Sequence, residues 1–221
     1  MFTRIGVALR MLAAIRSAAV SGIEAYDICV EIDVAGGLPY WTTVGLPAGE
    51  VKESRERVSA ALANSGFPLP SRRITVSLSP GDRRKLGTGF DLPIAIGLLV
   101  ARGEFSVEQV SGLVFLGELG LDGTVRGVRG ALSVARHLAS DPTGVRALVI
   151  PPANVNEASL VRSMPLVAPQ SLGELVTMLQ SGELTHATPD KIVTPADDGA
   201  DFADVVGQIR RRMDCRVSGK I

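Results

Sequence analysis

The stretch LSPGDRRKLGTGFDLPIAIGLL, residues 78 to 99, gathers the residue types of an active-site approach. A strand ending in Ser-Pro-Gly runs into the basic run Arg83-Arg84-Lys85. A turn bracketed by Gly87 and Gly89 follows, and then an almost wholly apolar helix. A loop of this kind can cradle an anion on its backbone N–H groups or carry a nucleophile at a helix N-terminus. Asp91 opens the helix. Beside a glycine turn its carboxylate suits a general base, but its spacing before Leu92-Pro93 is that of a helix N-cap, and the cap is the reading adopted.

Elsewhere the chemistry is sparse. A nucleotide-binding P-loop needs GxxxxGK[ST], yet the Gly219-Lys220 pair is followed by Ile221, and Asp214 stands at the earlier glycine position. His137 and His186 have no Cys, His or carboxylate at ligand spacing, so no metal site is expected. There is no GxSxG on which a Ser–His–Asp hydrolase would rest. Two basic clusters remain as candidates for nucleic-acid phosphates, Arg72-Arg73 and Arg83-Arg84-Lys85. The strand between them holds them about 20 Å apart, at opposite ends of one element. The Arg83 cluster is the better candidate, because the glycine turn beside it offers backbone N–H groups.

The elements that must position these residues follow from periodicity. AYDICVEIDVAGG alternates Ile28, Val30, Ile32 and Val34 against Asp27, Cys29, Glu31 and Asp33, a half-buried strand. Cys29 reads as a small buried residue. PYWTTVGL is the next strand, and a helix is expected from about Ala48 to Ser65, with Glu53 and Arg57 as an i,i+4 pair. RRITVSLS is a strand, and the helix after the opening loop runs to about Arg102, apolar all round and so packed on several sides. LVFLGEL and TVRGV read as strands joined by a hairpin at Asp122-Gly123. Helices at 131–140, 154–160 and 172–180 alternate with strands at RALVIP and PLVAP. The fold class expected is α+β, a mixed sheet with packed helices over residues 11–180.

Bulk properties set limits. Of 221 residues, 46% are hydrophobic and only 4% aromatic, so the core must rely on Val, Ile, Leu and Ala. Lys plus Arg and Asp plus Glu are 23 each, and this zero net charge advertises neither nucleic acid nor an anionic membrane globally. Two separated cysteines fit a reduced, cytoplasmic chain. No apolar run is long enough for a membrane helix, so no membrane partner is expected. Residues 1–10 read as an extension upstream of an alternative start at Met11. Residues 181–200 read as a linker.

The strings VGLPAGEVKESRERVSAALANSGFPLPSRRITVSLSPGDRRKLGTGFDLPIAIGLL and FLGELGLDGTVRGVRGAL closely resemble the N-terminal domain of the ComM/YifB proteins, magnesium-chelatase-like (ChlI-like) AAA+ ATPases. The likeness runs from about Ala13 to Gln208. It implies a ribosomal protein S5 domain 2-like fold, shared with the Lon protease domain. The Lon nucleophile loop matches Lys85-Leu86-Gly87-Thr88-Gly89-Phe90-Asp91, and Gly89 falls where the serine would be. The second Lon landmark matches Arg129-Gly130-Ala131-Leu132, and Leu132 falls where the lysine would be. A Ser–Lys dyad needs a hydroxyl and an amine, so no catalytic residue is expected. Thr88 and Lys85 are the hydroxyl and amine nearest to hand.

The resemblance also implies that DFADVVGQ, residues 201–208, is the stub of an AAA+ module. A divergent tail, 209–221, then stands where the module's core would begin, so the chain reads as cut short. ATP and Mg are expected only in that module, and this chain is expected to hold no cofactor and to be no enzyme. Intact relatives are implied to be hexameric, ATP-driven DNA branch-migration motors in natural transformation. DNA, self-association and intact AAA+ copies are the partners implied. A residual Lon-like peptidase and a stand-alone oligomerisation module are the alternatives.

Overall fold

The computed structural model describes residues 11–189. The proposed upstream extension, the later part of the linker, the stub at 201–208 and the tail at 209–221 lie outside the described residues.

Strands β1 (Met11–Ser21), β2 (Glu24–Ala35) and β3 (Tyr40–Val44) come first, then helices α1 (Gly49–Lys52) and α2 (Ser54–Asn64). Strand β4 (Arg73–Ser79) leads through the glycine loop into α3 (Asp91–Ala101) and the short α4 (Val107–Val110). Strands β5 (Leu113–Phe115), β6 (Glu118–Leu119) and β7 (Val125–Arg126) precede α5 (Ala131–Ser140). The chain continues through β8 (Ala147–Val149), α6 (Val155–Ala158), β9 (Leu166–Val167) and α7 (Leu172–Ser181).

Seven strands form one mixed sheet in the order β3-β4-β2-β1-β5-β8-β9, and β6 and β7 form a separate hairpin. The β1–β2 and β2–β4 pairs are antiparallel, whereas β3–β4, β1–β5, β5–β8 and β8–β9 are parallel. This is the mixed sheet with packed helices that periodicity predicts. Alternation divides the apolar residues between two faces. Leu113 and Phe115 join one core with α2, α3 and α7, while Val114 joins the other with α5 and α6.

Helix α3 is buried along all of its residues, as its all-round apolar character predicts. Gly97 lets it lie directly on the sheet. A Cβ there would meet Ile32 Cγ1 at 2.6 Å and Ile15 Cγ1 at 3.3 Å.

The structure corrects several local expectations. The first helix breaks at Glu53, although that residue stays right-handed and its N–H still reaches Gly49 O. LVFLGEL is not one strand. Leu116 N donates to Val149 O but Gly117 N turns away to Gly89 O, so the chain leaves the sheet there. Cys29 is half-buried on the polar side of β2 rather than in the core. Past α7 the chain returns to the sheet, where Ala187 N donates to Leu166 O and His186 bridges Val167.

Candidate functional site

The glycine loop and the segment leading into α5 meet in space. Residues Leu86–Phe90 and Gly127–Arg129 line one cleft of about 640 Å³, together with Glu50 and Glu118, whereas Leu132 is not among its lining residues. Two backbone–backbone bonds and one backbone–carboxylate bond tie the loop and the start of α3 to the segment around β6. Gly117 N donates to Gly89 O at 2.9 Å, Leu92 N to Gly117 O at 3.0 Å, and Leu119 N to Asp91 Oδ2 at 3.2 Å.

Gly89 lies against an apolar wall. A Cβ there would stand 2.9 Å from Leu116 Cδ1 and 3.7 Å from Val128 Cγ1, a contact that a shift of the Leu116 side chain would relieve. Leu132 is partly exposed on the first turn of α5 and has no amine to offer. The other wall is held by a residue that sequence reading missed. The Asn154 side-chain amide pairs with the backbone of Val128, accepting from its N–H at 3.0 Å and donating to its carbonyl at 2.7 Å. Asn154 sits 26 residues from Val128, and no local pattern marks that contact.

Asp91 is not the N-cap. Phe90 occupies that position, with no side-chain cap bond, and Asp91 is the first helical residue with its side chain wholly buried. Arg57 on α2 reaches it, Nε donating to Oδ2 at 2.6 Å and Nη2 to Oδ1 at 3.0 Å. Arg57 also donates to Glu50 O at 2.9 Å, while the expected Glu53 partner lies at 3.9 Å. Burial pushes the Asp91 carboxyl up to about 6, against the opposing pull of Arg57 and Leu119 N–H. The hydrogen bond to Asp91 raises the Arg57 guanidinium above its usual value. The pair is a structural clamp joining α2, α3 and β6.

The start of α3 does not cradle an anion. Asp91 N donates to Thr88 O, Leu92 N to Gly117 O and Ile94 N to Phe90 O, and Pro93 has no N–H. Gly87 does turn with positive φ (82), as a glycine-bracketed loop demands. At the Asp122-Gly123 hairpin, Asp122 Oδ1 accepts from Thr124 N at 3.1 Å and Thr124 Oγ1 at 2.7 Å, and Gly123 adopts φ 86. These bonds hold the Asp122 carboxyl below its usual range.

The basic clusters divide. Arg72 and Arg73 are exposed at the start of β4, and Arg83 and Arg84 are exposed beyond its end. The Arg83 guanidinium lies 4.7 Å from the centroid of the Tyr26 ring, whose hydroxyl donates to Arg84 O. Lys85 departs from that surface. Its side chain is fully covered, its ammonium donates to Pro80 O, and burial lowers its pKa. Its backbone is equally engaged, with Lys85 N donating to Leu46 O and Lys85 O accepting from Ala48 N.

Among the described residues no group of three His, Cys, Asp or Glu is placed to hold a metal ion. No described helix is long and apolar enough to cross a membrane.

Comparison with known proteins supplies the remaining finding. A family model described as subunit ChlI of Mg-chelatase matches residues 30–154. The chain is 36% identical over 202 residues to Competence protein ComM of Haemophilus influenzae, covering 89% of this chain and 39% of that protein. It is 35% identical over 198 residues to the uncharacterized protein YifB of Escherichia coli, covering 89% and 38%. An uncharacterized Mycobacterium tuberculosis protein is 38% identical over 207 residues, covering 91% and 40%. The chain thus spans about two fifths of the length of the curated relatives it matches.

Proposed function

The chain belongs to the ChlI-like family of Mg-chelatase subunits, among its ComM and YifB members, and from that premise we propose that it is a non-catalytic, Lon-like domain contributing DNA contacts to a cytoplasmic AAA+ machine. In this reading the fold is that of ribosomal protein S5 domain 2. The full-length protein is an ATPase and, like the implied activity of its relatives, drives DNA branch migration during natural transformation. ATP and Mg belong to the AAA+ module, and this domain contributes assembly contacts or DNA contacts to the hexamer.

The observation that carries the reading is the contrast between the two halves of the opening loop. Its nucleophile position is a glycine packed on Leu116, whereas Arg83 and Arg84 stand exposed beside it. A start of α3 whose N–H groups are spent fits no phosphate either. A peptidase built on Thr88 and Lys85 is disfavoured, because the Lys85 ammonium is committed to Pro80 O.

Fluorescence anisotropy with duplex and branched DNA, repeated across a salt series, tests this function. Wild type should bind with log K falling linearly in log salt. Arg83→Glu with Arg84→Glu should weaken binding and flatten that slope. A wild-type chain with no salt-sensitive binding ends the proposal.

A further inference from the structure

The two edges of the seven-stranded sheet are finished differently. At the β9 edge the chain covers itself, through Ala187 N to Leu166 O and the His186–Val167 bridge. At the β3 edge, among the described residues, pairing is to β4 alone. Edge strands are normally blunted by shortness, Lys, Pro, a bulge or inward charges; β3 is five residues long, and Pro39 and Pro47 flank it without interrupting it. Residues 36 to 49, GGLPYWTTVGLPAG, contain no charged residue at all. Leu38, Tyr40, Val44 and Leu46 are exposed along this stretch, at 87%, 60%, 46% and 54%.

The register of β3 tells which backbone groups face outward. Tyr40 N donates to Arg72 O, one residue before its β4 partner Arg73. In a parallel pair alternate residues spend both N–H and C=O on the same neighbour. Tyr40, Thr42 and Val44 therefore bond β4, and Trp41 and Thr43 turn their amides and carbonyls away from the sheet.

We infer that β3 is a homodimer edge, pairing antiparallel with β3 of a second copy about a two-fold axis through Thr42. Trp41 then exchanges both backbone bonds with the partner's Thr43, and Thr43 with the partner's Trp41, about four interchain hydrogen bonds in all. Tyr40 faces the partner's Val44 and Thr42 faces its own copy, an aromatic–β-branched pair and a Thr–Thr pair of the kind that stabilises sheets.

Neighbouring registers fail for identifiable reasons. Moving the axis to Trp41 sets Thr43 against Pro39, which has no N–H. Moving it to Thr43 sets Trp41 against Gly45, which leaves the strand with φ 96. The absence of charge makes the edge compatible with itself, since no like charges meet in the paired copies. Leu38 and Leu46 flank the strand in sequence and supply apolar area to the same contact. This inference is independent of the DNA reading.

Two arms test it on the full 221-residue chain. Sedimentation velocity should show a concentration-dependent dimer. Tyr40→Glu should weaken it about tenfold or more, and Tyr40→Glu with Val44→Lys, which sets opposite charges face to face, should recover most of the loss. In a Cys29→Ser, Cys215→Ser background, Thr42→Cys should cross-link under mild oxidation, because residues on the axis of a non-hydrogen-bonded pair sit about 4.5 Å apart. Ser163→Cys, exposed just before β9 at the opposite edge of the sheet, should not. The cross-linking arm also decides the matter if Tyr40→Glu fails to fold. A monomer at every concentration, a dimer indifferent to Tyr40→Glu, or equal cross-linking at Ser163 and Thr42 overturns the inference.

Discussion

Arg57 and Asp91 stand 34 residues apart in sequence and meet in a two-pronged ion pair at 2.6 and 3.0 Å, the carboxylate wholly buried and the guanidinium partly so. Through Leu119 N the same carboxylate also holds β6. Stability at this junction depends on both partners being present, because either charge alone would be left without compensation.

Arg57→Ala should therefore destabilise the domain by about 3 kcal/mol near neutral pH. The loss should shrink in acid, where the stranded Asp91 carboxyl takes up a proton and ceases to be a buried charge. Urea unfolding at pH 5 and pH 8 measures both effects. A loss that is the same at the two pH values would show that charge burial is not its cause.

In the wild type Asp91 is pushed up to about 6, from 3.8 when unperturbed. Its folded pKa exceeds its unfolded one, so the folded state binds the proton more tightly between those values. Asp91 thus adds stability at low pH that disappears as pH rises through about 6. The stability of wild type relative to Asp91→Asn should fall across pH 4 to 7, by an amount on the order of 2 kcal/mol. A carboxyl carbon NMR titration should place the Asp91 midpoint near 6. A midpoint at or below 4 contradicts this.

Gly97→Ala raises helix propensity by about 1 kcal/mol, which in an exposed helix would stabilise. Here the new methyl meets Ile32 Cγ1 at 2.6 Å, so overpacking wins and the net change should be a destabilisation of about 1–3 kcal/mol. Thermal or urea melts decide the sign.

Lys85→Met and Arg84→Gln separate the buried cation from the exposed one. Lys85→Met should leave the salt slope of DNA binding unchanged and alter stability by less than about 1.5 kcal/mol. Arg84→Gln should lower the slope by about 1 and leave stability untouched. A slope that responds to Lys85→Met would place its ammonium at the DNA surface, against its burial.

Much of the fold is legible in the chain because it depends on neighbours a few residues apart. Helix α5 over Ala131–Ser140, the alternation of β2 and the Asp122-Gly123 turn follow from local spacing and turn chemistry. Gly89 and Leu132 are likewise legible as letters, and the structure adds that Gly89 lies against Leu116.

What tertiary structure alone decides is the fate of polar groups with more than one local option. Asp91 has the spacing of a cap, yet burial under α2 makes it the partner of Arg57. Lys85 sits in a run of three cations, and the fold of the loop over Pro80 takes it out of solvent while leaving Arg83 and Arg84 exposed. Apolar periodicity specifies which face an element buries, because burial is summed over many side chains. A single charged residue is assigned by whichever partner the packed elements bring within about 3 Å of it, and that distance exists only after the chain has folded.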